Sequence, residues 1–158
     1  MLLRYCVSET IMELMNLEAL IAAWEKDAPV NETEPSREII RVPNLHSKYA
    51  AQAVKHSLAL KAKRFAYDQL RKIKYEYYTG KMSEEELTKR GWEPFRYMLK
   101  RDLEVYMSSD PDLQEIKAKI HVHEEATNFC GFVLKELGNR TFELRAYMDW
   151  ETKVGGHN

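Results

Sequence analysis

The chain has 158 residues, of which 44% are hydrophobic and 31% charged, and its formal net charge is −1. This length fits one domain with a substantial core, and the charge excludes a protein that is basic as a whole. Six glycines and five prolines are too few for a fold with many turns, so the composition favours helices.

The sequence gives no sign of membrane insertion, secretion or disulfide bonding. Acidic residues such as Glu13 and Glu18 interrupt the most apolar N-terminal segment, which is therefore unsuited to crossing a bilayer or to acting as a secretory signal. The two cysteines, Cys6 and Cys130, are too few for a disulfide scaffold and fit a reducing cytoplasm. We therefore expect a cytoplasmic protein without a membrane partner.

The N-terminal part of the chain predicts one helix and one connector. Ser8 is a suitable cap for a helix that ends before Pro29, although Met12 or Met15 fits equally well as the natural start of the protein. Three prolines lie within residues 29–43, and proline disfavours helix at and just before its own position. These residues are expected to form a connector.

The middle of the chain predicts one long helix followed by two short ones. Asn44 is expected to cap the long helix, which continues without glycine or proline to Thr79. Ser83 and Glu86 form a capping-box pattern that opens a short helix closed by Gly91. A second short helix is expected from about Pro94 to Met107.

The C-terminal part begins with a strong helix signal. Asp110 is a favoured N-cap, and Pro111 fits the first helical position. A series of mostly apolar residues follows at alternating spacings of three and four, with His123 and Thr127 between Ile120 and Cys130, which is typical of a heptad seam between helices. Gly138 and Asn139 predict a break or a kink, after which Phe142, Ala146 and Trp150 continue a helical pattern. The residues expected to carry oligomerisation are Leu113, Ile116, Ile120, Cys130, Leu134 and Leu137.

These signals together predict an all-α fold in three segments that form one folding unit. Residues 1–43 supply a helix and the connector, and residues 44–107 supply the long basic helix and the short helices. Residues 108–158 supply the heptad-patterned helix and a terminal helix. Long helices leave apolar surface uncovered in a small subunit, so we expect the chain to associate with copies of itself.

The charged residues are distributed unevenly along the chain. Residues 48–81 contain nine basic and two acidic side chains, whereas residues 8–38 contain two basic and eight acidic ones. Residues 102–153 are acidic again, with six basic and eleven acidic side chains. The middle of the chain is therefore a cationic block, for which a solvated helix face is the ordinary explanation.

A helical projection divides the long helix into two arcs. One arc is apolar, and the other is cationic. The cationic arc combines basic side chains, which neutralise phosphates, with tyrosine rings, which stack on bases of any sequence. This pattern suits single-stranded nucleic acid, and packing of the tyrosines at a subunit interface is the alternative. The apolar arc, expected to be buried, contains Leu58, Ala62, Phe65, Ala66, Leu70, Ile73 and Tyr77. The residues of the cationic arc are Lys63, Arg64, Tyr67, Arg71, Lys74 and Tyr78.

The sequence contains no motif for catalysis or for cofactor binding. It lacks the glycine-rich loop that ends in Gly-Lys-Ser/Thr, so nucleotide triphosphate binding is not expected. His121 and His123 are two residues apart, which places them on different faces of a helix and makes them poor joint metal ligands. Asp110 and Asp112 are explained by a helix start. We therefore expect no enzyme activity, no cofactor and no metal.

A family resemblance emerges around the end of the long helix. The run Arg71–Lys81 resembles the Lys-Ala-Arg-x-x-Tyr-x-x-Gly-Lys/Arg signature of UvsY-type recombination mediators, which large tailed phages encode. The resemblance covers most of the chain beyond about Met15, and the later matches keep their order and spacing. Further matches lie at Leu45–Tyr49, Ser109–Asp110, Asn128–Cys130, Asn139–Phe142 and Gly155–Gly156.

The resemblance implies a protein without enzyme activity that acts in phage recombination and repair. Such a mediator binds single-stranded DNA and loads a RecA-like recombinase onto strands coated by a single-strand-binding protein. The resemblance also implies a ring-like homo-oligomer, hexameric or heptameric, that assembles through its C-terminal region. Its location would be the cytoplasm of the infected bacterial host.

The resemblance places the family's DNA-binding pair at Lys72 and Lys74, with Lys81 at the basic end of the signature. Lys74 stands where the signature has arginine, so the charge is kept but the planar bidentate group is lost. On a straight helix Lys72 and Lys74 lie about 160° apart, so neighbouring subunits or a bend must be involved.

Both the cationic arc and the resemblance fit a mechanism of avidity. A ring repeats one weakly binding helix several times, so that a strand meets many copies at high effective concentration. The alternative function is a structural helical oligomer that binds only proteins and whose lysines serve solubility.

Overall fold

The computed structural model describes the backbone of residues 2–95 and 100–155, and the side chains of residues 10–95 and 101–155. All regular elements in these ranges are helical, and no strand occurs there, which confirms the predicted all-α class. None of the described helices is long and apolar enough to cross a membrane. The helices are α1 (Leu2–Asp27), α2 (Pro35–Tyr78), α3 (Glu84–Arg90), α4 (Leu103–Ser109) and α5 (Pro111–Gly155), with a 3-10 turn at Lys100–Asp102 before α4.

The chain forms two compact units. Unit 1 comprises Met1–Thr10 and Ala59–His121, and unit 2 comprises Ile11–Leu58 and Val122–Asn158. The long helices α2 and α5 each supply residues to both units. The division into segments 1–43, 44–107 and 108–158 stays a prediction about function.

The core of unit 2 joins α1 to the first part of α2 and the second part of α5. Trp24 and Tyr49 meet edge to face, with their ring centroids 5.3 Å apart, and Cys130 and Leu137 are fully buried beside them. Burial raises the pKa of the Cys130 thiol, which therefore stays protonated and packs as a small hydrophobe. The core of unit 2 thus depends on three separate parts of the sequence.

The end of α1 is held to α2 by one carboxylate. Asp27 Oδ2 accepts hydrogen bonds from Lys48 Nζ at 2.6 Å and from the Tyr49 hydroxyl at 3.0 Å. Arg41 Nη2 donates to the Asp27 backbone carbonyl at 3.2 Å. The hydrogen bond from Lys48 lowers the pKa of Asp27. These contacts fix residues 28–34, the turn that leads into α2.

The prediction that the long helix begins at Asn44 is wrong, because α2 starts at Pro35 and continues through Pro43. Proline inside a helix removes one hydrogen bond and costs about 3 kcal/mol. Here Val42 and Leu45 are buried on either side of an exposed Pro43. Burial of these two side chains in the unit 2 core offsets that cost, so the helix is continuous.

Of the break or kink predicted at Gly138 and Asn139, the break does not occur, because α5 is one helix of 45 residues. The buried residues Leu137, Arg140 and Leu144 lie on both sides of the glycine at helical spacing. The Arg140 guanidinium lies 5.3 Å from the centroid of the Trp24 ring. Packing on both sides therefore carries the helix past Gly138.

The short elements follow local signals closely. Ser83 Oγ accepts from the Glu86 backbone N–H at 3.3 Å, and Gly91, at φ 67°, closes α3, as predicted. Of the helix predicted from about Pro94 to Met107, Pro94 and Phe95 are not helical, residues 96–99 lie outside the described residues, and the 3-10 turn and α4 cover the rest. Asp110 caps α5 as predicted, since its Oδ1 accepts from the backbone N–H groups of Asp112 and Leu113 at 3.0 and 3.1 Å.

Candidate nucleic-acid interface

The predicted orientation of the long helix is wrong over its middle part. Leu58 and Phe65, expected in the core, are 60% and 67% exposed. Lys74, expected on the surface, is 7% exposed. The rest of the expected apolar arc is exposed at Ala62 and half-buried at Ala66, Leu70, Ile73 and Tyr77. The side of α2 that packs in unit 1 therefore includes part of the predicted cationic arc.

On this packed side of α2, Lys74 takes part in an internal ion pair. Lys74 Nζ lies 2.9 Å from Asp110 Oδ2 and 2.5 Å from Asp112 Oδ2, and it lies 4.6 Å from the centroid of the Trp92 ring. The Tyr78 hydroxyl donates to Asp110 Oδ2 at 2.8 Å. Two residues of the predicted DNA-binding set thus bind the capped start of α5.

The charges in this ion pair stabilise one another. Burial acts to raise the pKa of Asp110, but hydrogen bonds from Lys74 and Tyr78 outweigh it, and the net shift is downward. Burial acts to lower the pKa of Lys74, but its contacts with Asp112 and Asp110 shift that pKa upward overall. Lys74 and Asp110 are therefore both charged across the neutral range.

An aromatic cluster surrounds the ion pair in unit 1. Tyr78 meets Phe95 edge to face at 5.2 Å, and Tyr77 contacts Trp92 at 4.9 Å between ring centroids. Tyr106 of α4 lies 5.4 Å from Phe95. Tyr78 is therefore a packing residue, and its ring is engaged before any ligand arrives.

Most of the remaining cations of this part of α2 face solvent. Arg64, Arg71 and Lys72 are exposed, and Lys81 is exposed just beyond the helix. Tyr67 is half-buried beside them, and Lys63 is half-buried as well. The structure thus brings part of the predicted site together on one exposed surface and places Lys74 and Tyr78 inside the unit.

Two lysines from other parts of the chain lie over tyrosine rings of α2. Lys117 Nζ, from α5, is 5.6 Å from the centroid of the Tyr67 ring. Lys81 Nζ is 5.4 Å from the centroid of the Tyr75 ring, and Tyr75 is 43% exposed. Such pairs place a cation and a flat apolar surface next to each other, which matches the phosphate and base of a nucleotide.

Tyr75 and Lys117 are functional candidates that the sequence reasoning missed. Tyr75 is eight residues after Tyr67, and its spacing alone could have placed it on the same side of the helix. Lys117 lies on a different helix, in an acidic part of the sequence, and is brought to Tyr67 only by folding. No local pattern identifies Lys117.

A cavity of about 450 Å³ opens in unit 1 at this surface. Its walls come from the end of α2, from α4 and from the start of α5. The side chains of Tyr67, Arg71 and Lys72 line it on one side, and those of Met107 and Lys117 on others. No group of three or more metal-ligating side chains occurs among the residues that the structure describes.

Comparison with known proteins identifies the family. Residues 23–157 match the family described as recombination, repair and ssDNA binding protein UvsY. The chain belongs to the UvsY family. No curated protein and no solved structure matches it.

This match, which covers nearly the whole chain, confirms the resemblance seen in the sequence. Recombination, repair and single-stranded DNA binding are the functions of the UvsY family, which is one of DNA-binding proteins rather than of enzymes. The exposed cations and rings of α2, together with Lys117, are therefore a candidate surface for a single DNA strand.

Proposed function

We propose that this UvsY-family protein is a recombination mediator. It binds single-stranded DNA as a homo-oligomer and loads a RecA-like recombinase onto strands coated by a single-strand-binding protein. The observation that carries the proposal is the surface formed by the exposed cations Arg71, Lys72 and Lys117 and the half-buried Tyr67, over whose ring Lys117 lies. The site of action is the cytoplasm of a phage-infected bacterium.

The proposed strand-binding residues divide into direct contacts and supporting residues. Arg71, Lys72 and Lys117 contact phosphates, because all three are exposed on one unit. Lys74 and Tyr78 support the site instead, since they bind Asp110 and fix α2 against α5. This assignment explains how two lysines about 160° apart on a helix both serve one strand.

Assembly of several copies follows from the apolar side chains that the subunit leaves exposed. Large contiguous apolar patches are rare on the surface of monomeric proteins and mark sites of contact with other molecules. We propose that these side chains form the contacts between copies, in a ring. They include Val54, Leu58 and Phe65 of α2 and Phe132, Phe142 and Trp150 of α5, each at least 59% exposed.

A ring makes a weakly cationic subunit an effective DNA binder. Each subunit neutralises few phosphates, so its own affinity is low and depends on salt. Repetition of the surface around a ring makes later contacts intramolecular and raises the overall affinity. A strand held in this way has a shape that favours the recombinase over the coat protein, so loading requires no ATP site in the mediator.

The DNA-binding step is tested by fluorescence anisotropy with labelled oligo-dT over a range of salt concentrations. The double variant Arg71→Ala with Lys72→Ala removes two phosphate contacts per subunit. It is expected to bind at least tenfold more weakly. The logarithm of the binding constant should also fall less steeply with the logarithm of the salt concentration, by about 0.7 for each lost phosphate contact and thus about 1.4 for each subunit that binds the strand. Lys89→Ala, an exposed lysine of α3, is the control and should bind normally.

The loading step needs a separate measurement. ATP hydrolysis by a RecA-like recombinase is followed on single-stranded DNA that the coat protein already covers. The mediator should shorten the lag before hydrolysis, and the double variant should not. If the protein binds coat protein or recombinase but ignores oligo-dT even in dilute buffer, the adaptor that binds only proteins is the better description.

A further inference from the structure

We propose that the cavity of unit 1 receives one nucleobase of the bound strand. This inference rests on the proposed function and adds to it a defined subsite, in which the base enters the cavity and its phosphate stays outside. The cavity, of about 450 Å³, lies within the range of roughly 300 to 1,000 Å³ typical of small-molecule sites. It is therefore large enough for one base and its sugar.

The walls of the cavity have the chemistry that a base requires. Tyr67 and Tyr75 supply ring surfaces, and Leu103, Met107 and Leu113 supply an apolar lining. Leu113 is 1% exposed, so this part of the wall belongs to the rigid interior of unit 1. A base that leaves its stack in the strand regains apolar and ring contacts there.

Two carboxylates of the cavity favour a base as their neighbour. Asp68 and Glu104 line the cavity and are exposed, as are the cations Arg71, Lys72 and Lys117. The N–H groups of a base can donate hydrogen bonds to these carboxylates, whereas a phosphate beside them would be repelled. The rings and apolar side chains of the lining therefore receive the base, and the exposed cations are left for the phosphate.

The exposed cations of the cavity can pair with the phosphate of the same nucleotide. Arg71, Lys72 and Lys117 line the same cavity and are exposed to solvent, and Lys117 already lies over the Tyr67 ring. One nucleotide can therefore place its base in the cavity and its charge against these side chains. Without base insertion, the same cations bind only the backbone.

The test compares an oligo-dT strand with a strand of equal length whose nucleotides are abasic tetrahydrofuran units. Both carry the same phosphates, so only a base-binding site distinguishes them. The wild-type protein should bind the intact strand about 5- to 150-fold more tightly, the range that corresponds to one stacked base. Equal affinities with normal salt dependence would overturn the base site and leave the proposed function standing. Failure to bind either strand would overturn both.

A matched pair of serine variants tests whether the preference for the intact strand arises at the cavity. Ser108 lines the cavity and Ser109 does not, yet both are exposed and both hydroxyls donate to the Val105 carbonyl. Ser108→Leu adds bulk at the cavity without adding charge or a ring, and it should abolish the preference for the intact strand. Ser109→Leu should keep that preference. The opposite pattern, or no difference between the two, would contradict the assignment.

Photocrosslinking provides a measurement on the unaltered protein. A strand with 5-iodouracil at one position is irradiated in complex with the wild-type chain, and the attached peptide is identified by mass spectrometry. Attachment at Tyr67 or Tyr75 is expected. Efficient attachment only at residues outside the cavity would place the bases elsewhere and overturn the proposal.

Discussion

Neighbouring lysines of α2 have opposite roles because their environments differ. Lys72 is largely exposed, and its ion-pair contact with Glu76 is 3.9 Å long. The side chain of Lys74 is 9% exposed and pairs with Asp110, whose side chain is 1% exposed. Charge alone therefore does not identify a DNA contact, since a buried lysine must leave its partners before it can reach a phosphate.

The two lysines can be separated by substitution with methionine. Lys74→Met leaves the buried carboxylate of Asp110 without its cation, so we expect a loss of about 3 kcal/mol in the free energy of unfolding. Lys72→Met should change that free energy by less than about 0.5 kcal/mol but weaken binding to oligo-dT. Urea denaturation and anisotropy measure the two effects. Equal stability of the two variants would show that the Lys74 ion pair does not form in solution.

A histidine pair makes the stability of unit 2 depend on pH. His56 Nδ1 and His123 Nδ1 are 3.2 Å apart, so one ring must be neutral to accept the hydrogen bond. His123 Nε2 also lies 3.6 Å from Glu13 Oε1, and Lys55 is next to His56 in the sequence. Burial lowers the pKa of His56 below its ordinary value of 6.5, and His123 and Lys55 add to this effect.

Because folding lowers this pKa, the unfolded chain binds a proton more readily than the folded one. The stabilisation is thus complete above pH 6.5 and is lost as the pH falls through the folded pKa, by at most about 1.4 kcal/mol per pH unit. The melting temperature should fall between pH 7 and pH 5. His56→Gln should make this fall smaller, whereas His46→Gln, an exposed histidine, should not. An identical pH profile for His56→Gln and the wild type would rule out this role.

At the scale of whole helices, the continuity of α2 through Pro43 depends on packing. Pro43→Ala restores a backbone donor inside the helix and should raise the free energy of unfolding by about 2 kcal/mol in urea denaturation. Pro35→Ala is the matched control, because proline at the first helical position is favourable and its loss brings no gain. A destabilised Pro43→Ala variant would mean that the helix in solution does not run through this position.

Some helix ends could be predicted from local signals, although Ser8 and Asn44, both predicted as N-caps, lie inside α1 and α2. Ser83, Gly91 and Asp110 act within four residues of their own position, and all three predictions are confirmed. The continuity at Pro43 and Gly138 could not be predicted in this way, since it depends on burial against other helices. A local breaker signal is weak evidence when apolar residues at helical spacing continue on both sides of it.

The candidate site was predictable only in part for the same reason. The exposed cations of α2 were identified by their spacing, but the fate of Lys74 depends on Asp112, which lies 38 residues later. Lys117 reaches the Tyr67 ring from a separate helix. The side of a helix that faces solvent is decided by such distant partners. Helical periodicity cannot choose between two opposite sides of a helix when each side carries large apolar or aromatic side chains.

At the scale of the whole molecule, the proposed assembly needs side chains that the subunit does not use itself. Four of the six residues predicted to carry oligomerisation, Leu113, Ile120, Cys130 and Leu137, are buried within the subunit, and Ile116 and Leu134 are partly buried. Their part in oligomerisation stays a prediction. The exposed rings of α5 are available for contacts between copies without any rearrangement of the subunit.

Substitutions at the two kinds of position should therefore separate assembly from folding. The double variant Phe142→Glu with Trp150→Glu replaces two aromatic side chains, 72% and 60% exposed, with carboxylates. Light scattering after gel filtration should show a smaller mass, with unchanged helicity. Loss of avidity should weaken binding to oligo-dT by a factor of about 100 or more. Leu137→Ala instead empties part of the unit 2 core and should cost the subunit about 2 to 5 kcal/mol.

The two variants give opposite results if the exposed rings form the contacts. The charged double variant then has a wild-type melting profile at subunit concentrations too low for assembly, and Leu137→Ala melts early at every concentration. The double variant could instead keep the full oligomeric mass while Leu137→Ala dissociates without melting earlier. That result would show that the buried heptad residues, and not the exposed rings, form the contacts between copies. In that case α5 would have to expose Leu137 when copies associate, and hydrogen exchange at that position should rise on assembly.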